Sequence, residues 1–523
     1  MIKKIRKILS VGLIIGMIST MIVGCSSSNS SVDDNKTLNF GCTNFSDSLD
    51  PSAMPNAAWS VSRYGIGESL FRFDDEMNAE NYLCDDYSVD DSNTTWKFHI
   101  RENLKFSNGK EVTASSVVES IEYMYEQEKS GEGSTAPSQY MVYDSITADE
   151  ESRTVTIVTS KPYADLTKVL AHPYFVILDM ESDLDENPVG TGPYAISKYD
   201  TGVSISMVAN EYYWKEEVPY ENLNVIFIDD NTTKSMALQN GDVDVVENIT
   251  TANDLESLKE SSEFNVSQTT GIRIGFSYIY INGVLKNDNL RNAILMAIDD
   301  DTMCNKTVGG LYTPGYSVLP STLDYGYDNL KDTTPYNLEE AKKILDEAGI
   351  VDSDNNGYRE LDGKEINLNY CTYDSRNLTD FTEAIASQLE QIGIKVTVNK
   401  TDADTEWNLL VSGDYDLLAT NWMTVQDGDP YGYLDNWYSK SKANYCGYKN
   451  DEYDKLYEGL STEIDEKTRK DIVQKLQQIL INDAAVLVHG YYNSNMCSNI
   501  SVAGADISIA DYYWISTNIK PAE

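Results

Sequence analysis

The stretch 187–246 constrains the fold of this chain more than any other part of the sequence. It opens Asn-Pro-Val-Gly-Thr-Gly-Pro-Tyr, in which two prolines and two glycines within seven residues restrict the backbone to a fixed turn. From Tyr194 onward, apolar residues alternate with polar ones on both sides of a turn at 200–202, so we expect an antiparallel hairpin. A further strand over 223–228 and a helix over 232–240 complete a strand-rich unit.

Helices and strands alternate through the rest of the chain. A strand turns at Asn108-Gly109 and leads into a helix that Thr113 caps. Helices over 338–348 and 381–392 each stop at a glycine, and the second gives way to a strand with apolar residues at every second position. This alternation indicates an α/β fold. Apolar spacing also predicts a helix over 59–70.

The net charge excludes one large class of partner. The chain has 523 residues, with 40 lysines and arginines against 84 acidic residues, which gives a net charge of −44. Such a surface repels phosphate backbones, so we expect no nucleic-acid partner. The hydrophobic fraction of 41% is ample for a large core, and the length fits about three domain-sized units.

The residues that common catalytic sites require are scarce. The sequence has three histidines, His99, His172 and His489, and it has no Gly-x-Ser-x-Gly, His-Glu-x-x-His or phosphate-loop motif. Six cysteines follow Cys25 without a Cys-x-x-Cys pair, so neither a zinc ribbon nor a thioredoxin-type site is expected. We therefore expect a binding protein without a cofactor. The alternative from another class is a hydrolase that uses a pair of carboxylates.

The N-terminus has the pattern of an export signal. Four basic residues within the first seven positions precede an apolar run over 8–24, and the next residue is a cysteine. This pattern predicts a signal peptide over 1–24 and lipidation of Cys25, whose context is similar to a bacterial lipobox. The polar residues that follow predict a flexible, lipidated tether over 25–37. The alternative is an uncleaved transmembrane anchor.

Two features of the exported chain stay open at this point. Residues 352–357 resemble the start of a calcium-binding loop, but the twelfth position is Gly363 and not a glutamate, which favours a turn-rich hairpin without metal. Export permits disulfides, although a large core does not require them. The cysteines whose pairing is open are Cys42, Cys84, Cys304, Cys371, Cys446 and Cys497.

Several separated blocks of sequence together resemble one protein family. Pro-Val-Gly-Thr-Gly-Pro-Tyr at 188–194 is followed by Asn-Glu-Tyr-Tyr-Trp at 210–214 and by Ala-Leu-Gln-Asn-Gly-Asp-Val-Asp at 237–244. The block at 95–117 and the Arg-x-Ala-x-x-x-Ala-Ile-Asp pattern at 291–299 are also similar to that family. The chain resembles the extracellular solute-binding proteins, family 5, which are the peptide- and nickel-binding components of ABC importers.

The resemblance implies an α/β, two-lobed, periplasmic-binding-protein-like type II fold with an extra subdomain in the first lobe. The implied segments are 38–75, 186–270 and 490–523 for the first lobe, 76–185 for the extra subdomain and 271–489 for the second lobe. Closure of the lobes about a hinge would bury a small solute for delivery to ABC permease subunits. We expect a monomer that a lipid anchor holds at the outer face of the bacterial cell membrane.

The resemblance also implies where the ligand binds. In dipeptide-binding members, the segment that ends Gly-Asp-Pro carries an aspartate that pairs with the α-ammonium of the peptide. Here Gly-Asp-Pro at 428–430 puts Gln426 in that role, with Asp427 beside it. A neutral amide cannot compensate a desolvated cation, so either Asp427 takes the role or the ligand differs. Trp422 is expected as a wall of the pocket. The further contacts that we expect are Tyr431 and Asn44.

The main functional prediction is therefore capture of extracellular peptides, and the alternative is capture of nickel or a metallophore chelate. The alternative is favoured by the missing ammonium-binding aspartate, by Trp59 and Arg63 in the predicted helix, and by His172, whose segment faces the ligand in nickel-type members. A bare metal ion would need several histidine or cysteine ligands, whereas arginine and tryptophan could hold a chelate. The structural alternatives are a surface salt bridge for Arg63, a satisfied histidine for His172 and a core tryptophan for Trp422.

Overall fold

Short helices and strands alternate along the chain. The structure is a computed structural model that describes residues 36–43 and 46–523. The helices are α1 (Pro55–Arg63), α2 (Ala114–Ser130), α3 (Leu166–Val169), α4 (Asn231–Asn240), α5 (Ala252–Glu260), α6 (Asp288–Met296), α7 (Asp300–Thr302), α8 (Leu338–Glu347), α9 (Leu378–Glu390), α10 (Ala403–Ser412), α11 (Tyr431–Leu434), α12 (Asp451–Leu460) and α13 (Glu466–Asn482). The strands are β1 (Thr37–Cys42), β2 (Glu68–Ser69), β3 (Phe71–Phe73), β4 (Ala79–Asn81), β5 (Cys84–Val89), β6 (Thr95–Ile100), β7 (Tyr143–Asp149), β8 (Thr154–Thr159), β9 (Val176–Ile177), β10 (Tyr194–Asp200), β11 (Ser204–Ala209), β12 (Asn222–Phe227), β13 (Val245–Glu247), β14 (Phe264–Ile279), β15 (Tyr312–Thr313), β16 (Glu360–Leu361), β17 (Lys364–Glu365), β18 (Asn367–Tyr373), β19 (Lys395–Thr401), β20 (Leu417–Met423), β21 (Val486–Asn499), β22 (Val502–Ala503) and β23 (Lys520–Pro521).

One large sheet extends through both lobes. Its strand order is β10-β11-β12-β1-β13-β21-β14-β20-β18-β19, and β15 pairs with β21 outside this path. Strand β1 is parallel to β12 and β13, and β18 is parallel to β19 and β20, whereas β14 and β21 are antiparallel neighbours. Strands β14 and β21 have 16 and 14 residues, so both are long enough to extend through both halves of the sheet. This topology confirms the predicted two-lobed α/β architecture.

The pairing of β14 with β21 is interrupted at two places, between Thr270 and Ile274 and between Gly275 and Phe276. The register shifts between Thr270 and Ile274, so the earlier part of β14 pairs with 493–499 and the later part with 486–491. Such an irregularity bends a strand and increases its local twist. The bend lies at the predicted passage from 186–270 to 271–489, and the residue boundaries of the lobes stay predictions.

Apolar side chains form separate cores in the different parts. Phe40 belongs to the core beside the β1–β12 region, and Phe98 and Ile121 belong to the core between α2 and the sheet β5-β6-β8-β7. In the second lobe, two neighbouring residues of β20 belong to different cores. Leu417 packs in the core that contains Phe381, and Leu418 packs in the core that contains Trp437. Because successive side chains of a strand point to opposite faces, the second lobe is covered by helices on both faces of its sheet.

Most of the local predictions are confirmed. Strands β10 and β11 form the expected antiparallel hairpin. Helix α4 follows Asp230, whose side chain accepts from the amide of Thr233, and it ends at Gly241 with a φ of 77°. The Thr113 side chain caps α2, and Asn337 caps α8 by accepting from a backbone amide in the first turn.

The predicted helix over 59–70 is wrong in its limits. The observed helix α1 begins at Pro55 and ends at Arg63, and Glu68 already belongs to strand β2. Gly65 has a φ of 69°, which a helix cannot continue, and a Cβ at Gly67 would lie 2.6 Å from the Val176 side chain. The apolar spacing of this segment reflects burial on several sides and not one face of a helix.

The turn at 188–194 packs backbone against backbone on the segment after α1. The amides of Gly192 and Tyr194 donate to the carbonyls of Ile66 and Gly65 at 3.0 and 3.1 Å. A Cβ at Gly190 would lie 2.2 Å from the Ile66 oxygen, so this contact requires glycine. The turn at 188–194 therefore determines where the chain leaves α1.

The structure also shows where the calcium-like loop and the cysteines lie. Residues 360–365 form the β16–β17 hairpin, and carboxylate oxygens of Asp352, Asp354 and Glu360 lie within 4.8 Å of one another. The cysteines at 42, 84, 304, 371, 446 and 497 are all buried. The predicted signal peptide and Cys25 lie outside the described residues. In the part of the chain that the structure describes, no helix combines the length and apolar character needed to cross a bilayer.

Candidate ligand-binding cleft

The candidate site lies where β14 and β21 pass from one lobe into the other. The parallel strands β18 and β20 end at this level, with Tyr373 and Met423 as their last residues. Open α/β sheets bind ligands in the crevice at the carboxyl ends of their parallel strands. The side chains at these strand ends, together with those of the two long strands, are therefore the first candidates for ligand contacts.

Arg273 projects from β14 at this crevice. Its Nη1 donates to the Asn421 Oδ1 at 2.6 Å, and the Asn421 amide donates to the Tyr373 hydroxyl at 2.8 Å. Burial, and then the neighbouring charge of Arg376, lower the pKa of Arg273 to about 10, so the guanidinium is still a cation at neutral pH. The hydrogen bond that positions Arg273 among the described residues is thus to a neutral amide, while the Asp511 charge acts on the guanidinium from a distance.

Arg376 lies in the loop between β18 and α9. Its φ is 43°, and the Tyr312 hydroxyl donates to its carbonyl at 2.8 Å. The guanidinium carbon lies 5.4 Å from the centre of the Tyr492 ring, and its Nε is buried with no hydrogen-bond partner among the described residues. We call Arg273 and Arg376 the arginine pair.

Asp511 contributes a negative charge to the same region, but its oxygens are already used. Arg63 Nη2 donates to one carboxylate oxygen at 2.9 Å, and Trp514 Nε1 donates to the other at 2.7 Å. Arg63 Nε also donates to the Asp511 carbonyl at 2.8 Å. Arg63 is 2% exposed, so the alternative of a surface salt bridge is wrong, and its role here is to hold the C-terminal segment.

Glu247 is the second acid whose charge acts on Arg376. Its Oε1 accepts from Lys234 Nζ at 3.0 Å and from the amide and hydroxyl of Thr43 at 2.9 Å each. Burial raises the pKa of Glu247, but the Lys234 charge and the Thr43 bonds outweigh it and bring the pKa below its ordinary value. Glu247 and Lys234 therefore form a buried, neutralised pair.

The loop after β20 is tied to distant parts of the chain through Gln426. The Tyr140 hydroxyl donates to the Gln426 side-chain oxygen at 3.1 Å, and the Tyr512 hydroxyl donates to its carbonyl at 3.0 Å. The predicted ammonium-binding position is thus occupied by tyrosine hydroxyls. Its contact with a ligand stays a prediction.

Asp427, the neighbour of Gln426, is a desolvated acid. Burial, and then the charge of Asp429, raise its pKa to about 7, while the charge of Arg469 lowers it. Arg469 itself is paired with Asp429. The charge of Asp427 also acts on Lys161, so protein cations already surround this end of the loop.

His172 is fully buried against tyrosines. Its ring lies 4.4 Å from that of Tyr140, and its Nδ1 accepts from the Tyr174 amide at 3.2 Å. Burial lowers the pKa of His172 to about 3, against an opposing effect of Gln426. The ring is therefore neutral, its Nδ1 is in use, and its Nε2 is buried without a hydrogen-bond partner among the described residues.

The remaining predicted contacts lie in different surroundings. Trp59 is half-buried beside Arg63, and its indole nitrogen is buried with no partner in the described chain. Trp422 points to the face of the sheet opposite to Asn421, with its ring 6.4 Å from that of Tyr433. Tyr431 stacks on Tyr457 at 4.6 Å within the second lobe. Asn44 lies outside the described residues.

The structure thus brings together residues that the sequence did not single out. Four different segments supply these residues, and none of the residues belongs to a recognisable motif: Arg273, Tyr373 with Arg376, Asn421 and Tyr492. One signal was available, since Arg273 interrupts an apolar, glycine-bounded strand with a charge. No comparable signal marks Arg376, whose position depends on a left-handed backbone conformation.

Comparison with known proteins gives a consistent result. The family model of bacterial extracellular solute-binding proteins, family 5, matches residues 78–445. The chain is 25% identical to the dipeptide-binding protein DppE of Bacillus subtilis, over 99% of this chain and 100% of that protein. It is also 25% identical to the nickel-binding protein NikA of Staphylococcus aureus, over 86% of each chain. The crystal structure of that NikA in complex with Ni(L-His)2 superposes with a TM-score of 0.76 at 23% identity, covering 93% of this chain and 100% of the other.

Proposed function

The chain belongs to the bacterial extracellular solute-binding proteins, family 5, and we propose that its cleft binds a short peptide through the peptide carboxylate. Members of this family supply solutes to ABC importers. The proposal extends that role to a substrate class: the lobes close on the peptide, and the closed form delivers it to the permease subunits as a monomer.

One observation carries this proposal, namely the arginine pair. Within the described part of the chain, Arg273 donates to the Asn421 amide oxygen, and Arg376 leaves its Nε without a hydrogen-bond partner. Both arginines are partly exposed, and the charges of Asp511 and Glu247 act on Arg376 without forming an ion pair with it in the described chain, so a carboxylate that enters the cleft can form charge-assisted hydrogen bonds with either guanidinium group. The planar guanidinium fork fits a carboxylate in a bidentate manner, which favours this group over a neutral amide.

A carboxylate-bearing metal chelate is the second candidate. A bare metal ion finds no cluster of ligands at the arginine pair, because the one such cluster in the described chain is Asp352, Asp354 and Glu360. A chelate with carboxylate groups would present them to the same guanidinium groups, and a NikA of the same fold has been crystallised with Ni(L-His)2. The absence of an aspartate at Gln426 also favours a ligand other than an ordinary peptide.

Calorimetric titration with synthetic dipeptides and tripeptides tests the proposal. We expect amidation of the peptide C-terminus to weaken binding by about 2–3 kcal/mol, or about 30- to 150-fold in Kd. The substitution Arg376→Gln should cause a similar loss and should make amidation nearly neutral, because both changes remove the same interaction. Lys467→Gln, at a cation that is 82% exposed, is the matched control and should bind as the wild type does.

Equal affinity for free and amidated peptides would overturn the carboxylate proposal. If no peptide binds and nickel with L-histidine does, the chelate reading replaces the peptide reading. That second reading still requires a loss of affinity in Arg376→Gln, because the same guanidinium holds the chelate.

Lipidation of Cys25 is the proposed means of attachment, with the mature chain at the outer face of the cell membrane. It is supported by the basic and apolar residues before Cys25 and by the polar tether after it. Cys25→Ser should release the protein from the membrane fraction, whereas Ser26→Ala should leave it attached. Retention of Cys25→Ser at the membrane after detergent-free washing would contradict lipid anchoring.

A further inference from the structure

Aromatic side chains fill the space beside the loop after β20, at one end of the cleft. We infer that Tyr140, packed on His172, closes the cleft at Gln426 and thereby limits the ligand to short peptides. This inference rests on the proposed function, because it sets the length of the peptide that the same site takes.

Three tyrosines surround His172, and we call these four residues the aromatic wall. The His172 ring lies 4.4 Å from the ring of Tyr140 and 4.6 Å from the ring of Tyr174. On a further side, the ring of Tyr512 lies 5.7 Å away. His172 and Tyr512 are fully buried, whereas Tyr140 keeps partial access to solvent. We therefore expect a ligand that reaches this end of the cleft to meet Tyr140 first.

The aromatic wall is bonded to the loop after β20. The Tyr140 hydroxyl donates to the Gln426 side-chain oxygen at 3.1 Å, and the Tyr512 hydroxyl donates to the Gln426 carbonyl at 3.0 Å. Burial, and then the charges of Tyr174 and Asp427, raise the pKa of Tyr140, so its hydroxyl keeps its proton at neutral pH. Tyr140 thus stays bonded to Gln426 under ordinary conditions.

The next part of the loop is packed on both sides. A Cβ at Gly428 would lie 2.8 Å from Lys168 Cδ and 2.9 Å from Phe73 Cε1. The Tyr325 hydroxyl donates to the Gly428 carbonyl at 3.2 Å. The aromatic wall and this loop therefore form one close-packed unit, and a peptide chain passes Gln426 only if that unit opens.

The arginine pair holds the other end of the ligand at a limited distance. Asn421, which accepts from Arg273, precedes Gln426 by five positions in the chain. Five residues span at most about 18 Å, and an extended peptide rises about 3.3 Å per residue, so at most about five residues fit between the two ends. The bond from the Gly428 amide to the Val425 carbonyl, at 3.0 Å, folds the loop and shortens this path further. A peptide whose carboxylate binds to the arginine pair is therefore short.

Calorimetric titration with one peptide series tests this inference on the wild-type chain. The series runs from dipeptide to hexapeptide, with free termini and shared C-terminal residues, so that each member presents the same groups to the arginine pair. We expect the hexapeptide to bind at least about 10-fold more weakly than the tripeptide, because its added residues meet the aromatic wall. A smaller loss, or a gain, would overturn the inference and leave the proposed function standing. If no peptide of any length binds, the proposed function is overturned and the inference with it.

Substitutions at Tyr140 test whether the aromatic wall sets the limit. Tyr140→Ala removes the ring, so the hexapeptide should gain several-fold relative to the tripeptide, whose binding also reports that the protein is folded. Tyr140→Val removes less volume and takes its place if the alanine variant does not fold. Tyr140→Phe keeps the ring and loses the hydroxyl, so it should keep the wild-type length ratio whatever its overall affinity.

Lys467→Gln, at a cation that is 82% exposed, is the control and should keep the wild-type length ratio as well. An unchanged ratio in a folded variant that lacks the Tyr140 ring would overturn the inference, because a merely structural role for Tyr140 acts on all peptide lengths alike.

Discussion

At the scale of single residues, the cleft depends on two residues whose backbone conformation is energetically unfavourable. Arg376 and Asn377 are consecutive residues with φ values of 43° and 60°. Such left-handed conformations of non-glycine residues cost about 1–3 kcal/mol each and persist only where the surroundings enforce them. Here the Tyr312 hydroxyl holds the carbonyl of Arg376, and the Asn377 amide donates to the Thr250 carbonyl at 3.2 Å. The guanidinium is thereby kept at the crevice before any ligand arrives.

Glu406 gives a residue-scale prediction about pH. Its pKa is about 7 in the folded chain because of burial, against about 4.3 in an unfolded chain. The folded state therefore holds more protons between these values, so the contribution is fully present below about pH 4 and is lost as pH rises through 7. Glu406→Gln cannot ionise, so it should exceed the wild type by about 2–3 kcal/mol at pH 8 and match it at pH 4.

Urea unfolding from pH 4 to 8 measures this difference. Glu383→Gln, at an acid that is 57% exposed, is the control and should show no such divergence from the wild type. A Glu406→Gln protein whose stability runs parallel to the wild type at all pH values would show that the carboxyl is not desolvated in solution.

At the scale of elements, the turn at 188–194 fixes the arrangement of the first lobe. Its glycines let two backbone segments approach so closely that Gly192 bonds directly to Ile66. This contact ends α1 after Arg63, which is the residue that holds Asp511. A local turn motif thus controls the position of a buried ion pair beside the ligand site.

Gly190→Ala tests the importance of this contact. The added Cβ would lie 2.2 Å from the Ile66 oxygen and 2.7 Å from the Gly67 Cα, and backbone atoms cannot move aside easily. We expect a loss of about 3 kcal/mol or more in the free energy of unfolding, at the upper end of overpacking effects. Gly202→Ala is the matched control in the same hairpin: its φ of 69° is unfavourable, but nothing lies within 4 Å, so the loss should be near 1 kcal/mol. Equal losses for the two variants in urea unfolding would contradict the close approach.

At the scale of the whole molecule, the long strands β14 and β21 join the two halves of the sheet. The register shift in β14 between Thr270 and Ile274 is the place where we expect the lobes to move relative to each other. The bond from Asn377 to the Thr250 carbonyl and the bonds from Tyr140 and Tyr512 to Gln426 connect distant segments across this bend. We expect these contacts to stabilise the closed form of the cleft.

Asn377→Gly tests the contribution of one such contact to closure. Glycine keeps the φ of 60° without strain and removes the hydrogen bond to the Thr250 carbonyl, which is worth about 1 kcal/mol, together with an exposed hydrogen bond to Asp380. We expect about a fivefold loss of ligand affinity, together with a larger radius of gyration in the ligand-free state by small-angle scattering. An affinity and a scattering curve identical to those of the wild type would show that this bond does not stabilise the closed form.

The sequence predicted the fold class, the hairpin at 194–209 and the caps at Thr113 and Asn337, because alternation, glycines and capping side chains act over a few residues. It placed candidate contacts mainly by family resemblance, and these residues ended in unlike surroundings, such as Tyr431 stacked on Tyr457. It missed the end of α1, because that end is set by Gly190 and Gly192 from a segment more than a hundred residues away.

Composition and short-range patterns by themselves determined that this chain is an acidic α/β protein without a recognisable catalytic motif, and the two-lobed, solute-binding prediction came from the resemblance of several sequence blocks to one family. Only the tertiary structure decided which charges meet. Whether Arg63, Arg273 and Arg376 bind a ligand or a protein acid depends on distances between segments that are far apart in the chain. Burial then magnifies those electrostatic differences, because an unpaired charge costs far more away from water.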